Sequence, residues 1–232
     1  MKKKDYMDLN VRHFTSKKAE NRRSLGDAIT LNRPDSDLLI RNYKEDDFYG
    51  LHGLMQKAFP AEECLSEDQL RLALTRDGSR AFIIELKAGE SGRPEEIGFL
   101  LGYELDQVFF AEYLATKKEC RNKGYGRQVL NHLMEFLDHP LVFECEIPGF
   151  SPMAQRRYDF YKRLGFYEYD AIYHMPALES GQKPIPMHLM GGGPKIKQKD
   201  LSDLIKKIYK KVYGHVIYEE QNSRLLDWAS CE

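Results

Sequence analysis

The chain carries no excess of charge of either sign: 35 Lys and Arg stand against 36 Asp and Glu in 232 residues, a formal net charge of −1. A general nucleic-acid binder needs a basic excess, so no nucleic-acid partner is expected. No apolar run approaches the length that spans a bilayer, so no membrane association is expected either. Met1-Lys2-Lys3-Lys4-Asp5 is basic, but no apolar segment follows it as a secretory signal would require, which predicts a cytoplasmic protein. Cysteine is sparse: Cys64, Cys120, Cys145 and Cys231 show neither metal-ligand spacing nor a dense disulfide pattern. Reduced thiols are the expectation. The seven histidines are scattered without ligand spacing, so no metal is predicted. Internal repeats and low-complexity segments are lacking as well.

What is present suffices for a core: hydrophobic residues make up 42% of the chain and aromatic residues 12%. The length suits one domain with appendages, or one and a half domains. Residues 1–36 are polar, with basic clusters and little periodicity, and predict a charged N-terminal extension. Residues 37–43 predict the first strand. Phe48, Leu51, Leu54, Met55 and Phe59 then form a helical stripe that Pro60 stops. Ser66-Glu67-Asp68-Gln69 has the form of a capping box and predicts a second helix to about Arg76. Residues 81–86 and 97–103 predict a hairpin, and 107–116 the next strand. Downstream come a helix over 126–137, a short buried strand over 141–147, and a helix over 152–164 closed by Gly165. Two last strands follow, over 166–173 and 186–190. Gly191-Gly192-Gly193 is expected to be a flexible connector. Beyond it lies an amphipathic helix over 199–213, with Leu201, Leu204, Ile205, Ile208, Tyr209 and Val212 on one face. A last short helix is expected within 218–228.

Arg121-Asn122-Lys123-Gly124-Tyr125-Gly126 joins a strand to a helix, an arrangement that offers bare backbone N–H groups to an anion. Gly124 and Gly126 let a ligand approach the backbone, and Arg121, Lys123 and Arg127 add positive charge. A solvated basic loop would share this composition. The segment is not a nucleotide P-loop, because no Gly-Lys-Ser or Gly-Lys-Thr follows. Nor is it the Gly-x-Gly-x-x-Gly of a dinucleotide fold.

It does resemble the Arg-x-x-Gly-x-Gly acetyl-CoA pyrophosphate loop of the GNAT superfamily of N-acyltransferases. Glu112-Tyr113-Leu114-Ala115-Thr116 is similar to that family's fourth strand, although Thr116 and Lys118 stand where Val and Pro are usual. Phe160-Tyr161-Lys162-Arg163-Leu164-Gly165-Phe166 resembles the family's Phe-Tyr-x-x-x-Gly-Phe segment. Glu144-x-Glu146-x-Pro148, followed by Arg157-x-x-Phe160-Tyr161, resembles a bacterial subgroup of mostly unassigned substrate. Ala154 and Arg157 replace an asparagine and an alanine of the commoner pattern.

The resemblance implies an α+β fold: a mixed, mainly antiparallel central sheet flanked by helices over residues 37–190. It carries an N-terminal extension and, over 191–232, a C-terminal helical extension. That extension packs on the domain or on a partner subunit, so a homodimer stays open. The resemblance also implies acetyl-CoA as co-substrate. Backbone groups of Leu114, Ala115 and Thr116 would meet the pantetheine, and N–H groups of Asn122, Lys123, Gly124, Tyr125 and Gly126 the pyrophosphate. The tyrosine at the place of Tyr161 often protonates the departing thiolate, a task that suits a neutral phenol. Packing in the core is the competing role for Tyr161.

Acetyl transfer to an amine needs the amine neutral, so a carboxylate near the attack point is sought. Glu112 and Glu146 are the candidates, with Glu144 behind them. Glu144 and Glu146 share one strand face because side chains alternate with period two. A salt bridge to Arg156 or Arg157 is the competing account of Glu146. The enzyme so predicted is an acetyl-CoA-dependent N-acetyltransferase acting on a small-molecule or peptide amine of cationic character. A non-catalytic acyl-CoA-binding module or sensor with the same fold is the alternative.

Overall fold

In the computed structural model, eight strands form one sheet in the order β1 (Leu38–Asn42), β2 (Ser79–Leu86), β3 (Glu95–Leu105), β4 (Val108–Thr116), β5 (Leu141–Glu146), β8 (Ile185–Gly192) and β6 (Tyr167–Glu168), with β7 (Tyr173–Met175) also paired to β8. The structure describes residues 36–87 and 92–228. The expected N-terminal extension, apart from Ser36, and Cys231 lie outside them. Strands β1 (Leu38–Asn42), β2 (Ser79–Leu86), β3 (Glu95–Leu105) and β4 (Val108–Thr116) run antiparallel to one another. β5 (Leu141–Glu146) then lies parallel to β4, and β8 (Ile185–Gly192) antiparallel to β5. The sheet is therefore mixed and mostly antiparallel.

The strand expected over 166–173 is split in two. β6 (Tyr167–Glu168) and β7 (Tyr173–Met175) both pair with β8, one with each end of it. Gly191 and Gly192 are not a flexible connector but the end of β8, opposite Val142 and Leu141. A Cβ on Gly191 would lie 2.5 Å from the Tyr167 ring, and one on Gly192 would lie 2.4 Å from the Phe166 ring. The packing of those rings on the strand is what demands glycine there.

Helices cover both faces. α1 (Phe48–Ala58) and α2 (Glu67–Thr75) lie on one face, where Phe48, Leu51, Leu70 and Ala73 join Phe99, Leu101 and Phe110 in one core. α2 begins at a capping box: the Ser66 hydroxyl accepts from the Gln69 N–H at 3.3 Å, and the Gln69 side chain accepts from the Ser66 N–H at 2.8 Å. α3 (Tyr125–Phe136) and α4 (Pro152–Arg163) cover the other face, packing Val129, Leu133 and Tyr161 against Phe109, Phe143 and Phe166.

The amphipathic helix α5 (Leu201–Lys211) buries Leu204, Ile205, Ile208 and Tyr209 in the same core as α1 and α2. Its apolar stripe thus finds cover within its own chain. Tyr209 stacks on Tyr173 with ring centroids 5.5 Å apart. The segment that follows, up to α6 (Leu225–Trp228), is pinned by Asn222. This buried amide donates to the Ala177 and Val216 carbonyls at 2.9 Å each and accepts from the Ala177 N–H at 2.8 Å. An amide so enclosed would be destabilising without these partners, so the contact specifies one position for the C-terminal segment.

Candidate active site

The parallel pairing of β4 and β5 lasts for three residue pairs, ending at Ala111 with Phe143. Beyond it each strand goes on without the other, to Thr116 and to Glu146. A second irregularity coincides with this divergence. On the β3 side, Ala111 faces Gly102 and Tyr113 faces Leu101, so Glu112 is an extra residue, a β-bulge. Such bulges bend a strand and re-aim a side chain. The result is a cleft of about 100 Å³ whose walls include Glu112, Leu114, Glu144, Glu146 and Tyr161.

At the far end of β4 the chain turns into α3. Asn122 and Gly124 both have positive φ, +61° and +84°. Gly124 is the N-cap, so no side chain caps the helix, and the first helical bond runs from the Gln128 N–H to the Gly124 carbonyl at 3.1 Å. The N–H groups of the first turn are therefore left for another acceptor. A Cβ on Gly124 would meet no atom within 4 Å, and one on Gly126 only the Phe160 ring at 4.0 Å. Internal packing does not require either glycine, whereas the positive φ does require one at 124. Arg121, Lys123 and Arg127 are exposed around this turn. The Arg121 side chain braces it by donating from Nε to the Thr116 carbonyl at 3.2 Å.

Tyr161 comes to the cleft from α4. Its ring is 4.4 Å from Phe143 and 5.4 Å from Phe160, centroid to centroid. Burial first, then Cys145, pushes its hydroxyl up to about 12, so at neutral pH it is a proton donor. Cys145 also lines the cleft, and burial pushes its thiol up to about 12, which leaves it a poor nucleophile.

Four carboxylates meet in the cleft. Glu112 was anticipated, and its Oε2 is buried without a hydrogen-bond partner. Burial, with Glu144 adding to it, pushes it up to about 8, against the pull of Arg76 and Tyr103. Glu144 is pushed up to about 7 by burial, opposed by the hydroxyls of Tyr173 and Tyr213 that donate to it. Glu146 forms an ion pair with Arg157, the salt bridge that competed with a catalytic role for it.

The fourth carboxylate, Glu63, was missed. It sits in the single turn Ala61–Glu63 after α1, only 8% exposed. Burial and the neighbouring Glu146 push it up to about 7, although Arg157 pulls it down. Tyr113, beneath it, donates to its carbonyl at 2.7 Å. Glu62-Glu63 in sequence looks like any solvated turn. Tyr213 was missed too, being one more aromatic residue at the end of an amphipathic stripe.

Among the described residues, no group of three or more His, Cys, Asp and Glu could hold a metal ion. No described helix is long and apolar enough to cross a membrane.

Comparisons with known proteins bear on the fold and the family. Residues 77–168 match the model of the acetyltransferase (GNAT) domain. A solved structure from Bacteroides thetaiotaomicron, described as an acetyltransferase of the GNAT family, is 32% identical. It superposes with a TM-score of 0.65 over 75% of this chain and 98% of its own. NAA60 of Arabidopsis thaliana in complex with acetyl-CoA shares the fold at 13% identity and TM-score 0.51, over 67% of this chain and 97% of its own. The same plant protein in complex with a bisubstrate analogue gives 13% identity and TM-score 0.51, over 68% of this chain and 99% of its own. No curated protein matches the chain. The chain belongs to the GNAT family of acetyltransferases.

Proposed function

We propose that the protein transfers an acetyl group from acetyl-CoA to a primary amine bound among the cleft carboxylates. One observation carries the proposal. The divergence of β4 from β5 joins an uncapped, glycine-lined helix N-terminus to a cleft that holds both a protonated phenol and a carboxylate with an unpartnered oxygen. The residues present fit the co-substrate: first-turn N–H groups and three cations suit a pyrophosphate, and the unpaired edge of β4 offers backbone groups to an amide-bearing arm. Arg121, Asn122, Lys123, Gly124, Tyr125, Gly126 and Arg127 would hold the pyrophosphate, and Leu114, Ala115 and Thr116 the pantetheine. Bound there, acetyl-CoA supplies an acetyl group activated as a thioester.

The roles of this chain's residues follow from their protonation. An ammonium cannot attack, so its proton must leave first. Glu112 takes it at Oε2, the buried oxygen without a partner. The amine nitrogen then forms the amide bond as the carbon–sulfur bond breaks; Tyr161 gives its hydroxyl proton to the sulfur, and the second proton shed by the nitrogen restores the phenol. Glu146, fixed by Arg157, holds the acceptor rather than acting as the base. The test is CoA thiol release from acetyl-CoA with a panel of amines. Release with at least one amine, lost in Glu112→Gln and Tyr161→Phe, is expected. Full release in both variants would overturn the assignment of roles.

A further inference from the structure

Charge in the cleft is unbalanced. Glu63, Glu112, Glu144 and Glu146 line it, and among the described residues the one cation lining it is Arg157, already paired with Glu146. Arg76 lies near Glu112, but its guanidinium is also engaged with the Val212 carbonyl. Glu144 is satisfied by two phenols. Glu63 is 8% exposed, and the cation that acts on its carboxyl is Arg157, which is already paired with Glu146. A mostly buried carboxylate is costly while charged, and a cationic ligand would compensate it.

A monoamine does not supply the compensation when it is needed, because the amine that attacks must first become neutral. A second amine that stays protonated does. Nor do the four carboxylates form a metal-binding group. The carboxylates act on one another in a chain: Glu144 on Glu112, Glu63 on Glu144, and Glu146 on Glu63. Apolar side chains of Phe59, Met175 and Met187 share the walls, as suits a methylene chain between two polar ends. The cover of Tyr213 from the C-terminal segment favours a short free molecule over a peptide.

We infer that the acceptor is a small aliphatic diamine: one amine reacts beside Glu112, and the other, still protonated, is held by Glu63 and Glu146. This rests on the cleft being the acceptor site of the acetyltransferase proposed above. In this assignment Glu63 determines specificity and takes no part in proton transfer.

The test is calorimetric titration of the full chain, saturated with CoA, with diaminobutane and with butylamine. Diaminobutane is expected to bind at least about tenfold more tightly, the effect of one charge-assisted contact. Glu63→Gln should bring the two amines to within about twofold of each other while CoA affinity, which also reports folding, stays as in the native chain. Equal binding of the two amines by the native chain, or a diamine preference that survives Glu63→Gln, overturns the inference. So does tighter binding of a short peptide N-terminus. Any of these with CoA still bound leaves the acetyltransferase proposal standing, whereas absence of CoA binding would sink that proposal itself.

Discussion

Tyr213, just past α5, donates its hydroxyl to both carboxylate oxygens of Glu144 on β5, at 3.0 and 2.9 Å. The C-terminal extension thus enters the cleft instead of merely covering the sheet. Tyr173 donates to the same Oε1 from the opposite edge of β8. Two phenols, both kept protonated by burial and by Glu144, hold one carboxylate in place.

Tyr213→Phe removes one of these donors. Hydrogen bonds to a charged group contribute about 1.5–3 kcal/mol, so Glu144 should rise above its present value of about 7. Acceptor KM is expected to rise roughly tenfold, with acetyl-CoA affinity unchanged. Steady-state kinetics from pH 6 to 9 checks this, and an unaltered pH profile would show that the contact is only structural.

Glu112→Gln should lower kcat by roughly 10²–10⁴, the range of general-base catalysis. In the native chain, kcat/KM should rise with pH and level off above about 8, where Glu112 is ionised. Its coupling to Glu144 makes the limb a property of the pair. An acid limb near the ordinary carboxylate value of 4.5 would assign the base elsewhere.

Tyr161→Phe keeps the ring that packs on Phe143 and removes only the proton donor. Turnover should fall roughly 10-fold or more while acetyl-CoA affinity changes less than about twofold. Single-turnover kinetics beside equilibrium titration separates the two; an unchanged rate would make Tyr161 a packing residue.

The cleft carboxylates also make stability depend on pH. A carboxyl raised in the folded state from 4.5 to about 7, as Glu63 is, destabilises nothing below 4.5, where both states are protonated. The penalty grows as pH rises through that window and is complete above 7. Glu63→Gln removes it, so the variant should melt roughly 5 °C higher than the native chain at pH 8 and within about 1 °C of it at pH 4.5. Thermal melts at the two pH values decide, and a stabilisation equal at both would show another origin.

Local rules made much of this legible in the sequence. The Ser66–Gln69 box, the α5 stripe and the shared face of Glu144 and Glu146 follow from capping and from periods of 3.6 and two. The glycine-rich turn could be placed because a strand precedes it and a helix follows. What stayed hidden depends on distant neighbours. One extra residue at Glu112 leaves no trace in composition, yet it re-aims the side chain. Glu63 is buried by what packs over a turn, and Tyr213 reaches Glu144 across 69 positions of sequence. Gly191 and Gly192 resembled a hinge because the rings that require them, Tyr167 and Phe166, lie on another segment.

The most direct measurement is titration of acetyl-CoA into the native chain and into Gly124→Glu. A Cβ at 124 has open space ahead of it, though φ of +84° is unfavourable for any side chain, so the fold of the variant is checked by circular dichroism. With that fold retained, the account predicts saturable binding to the native chain and a loss of at least about 100-fold in the variant, where a negative charge stands at the helix N-terminus. Undiminished binding to a folded Gly124→Glu variant would contradict it.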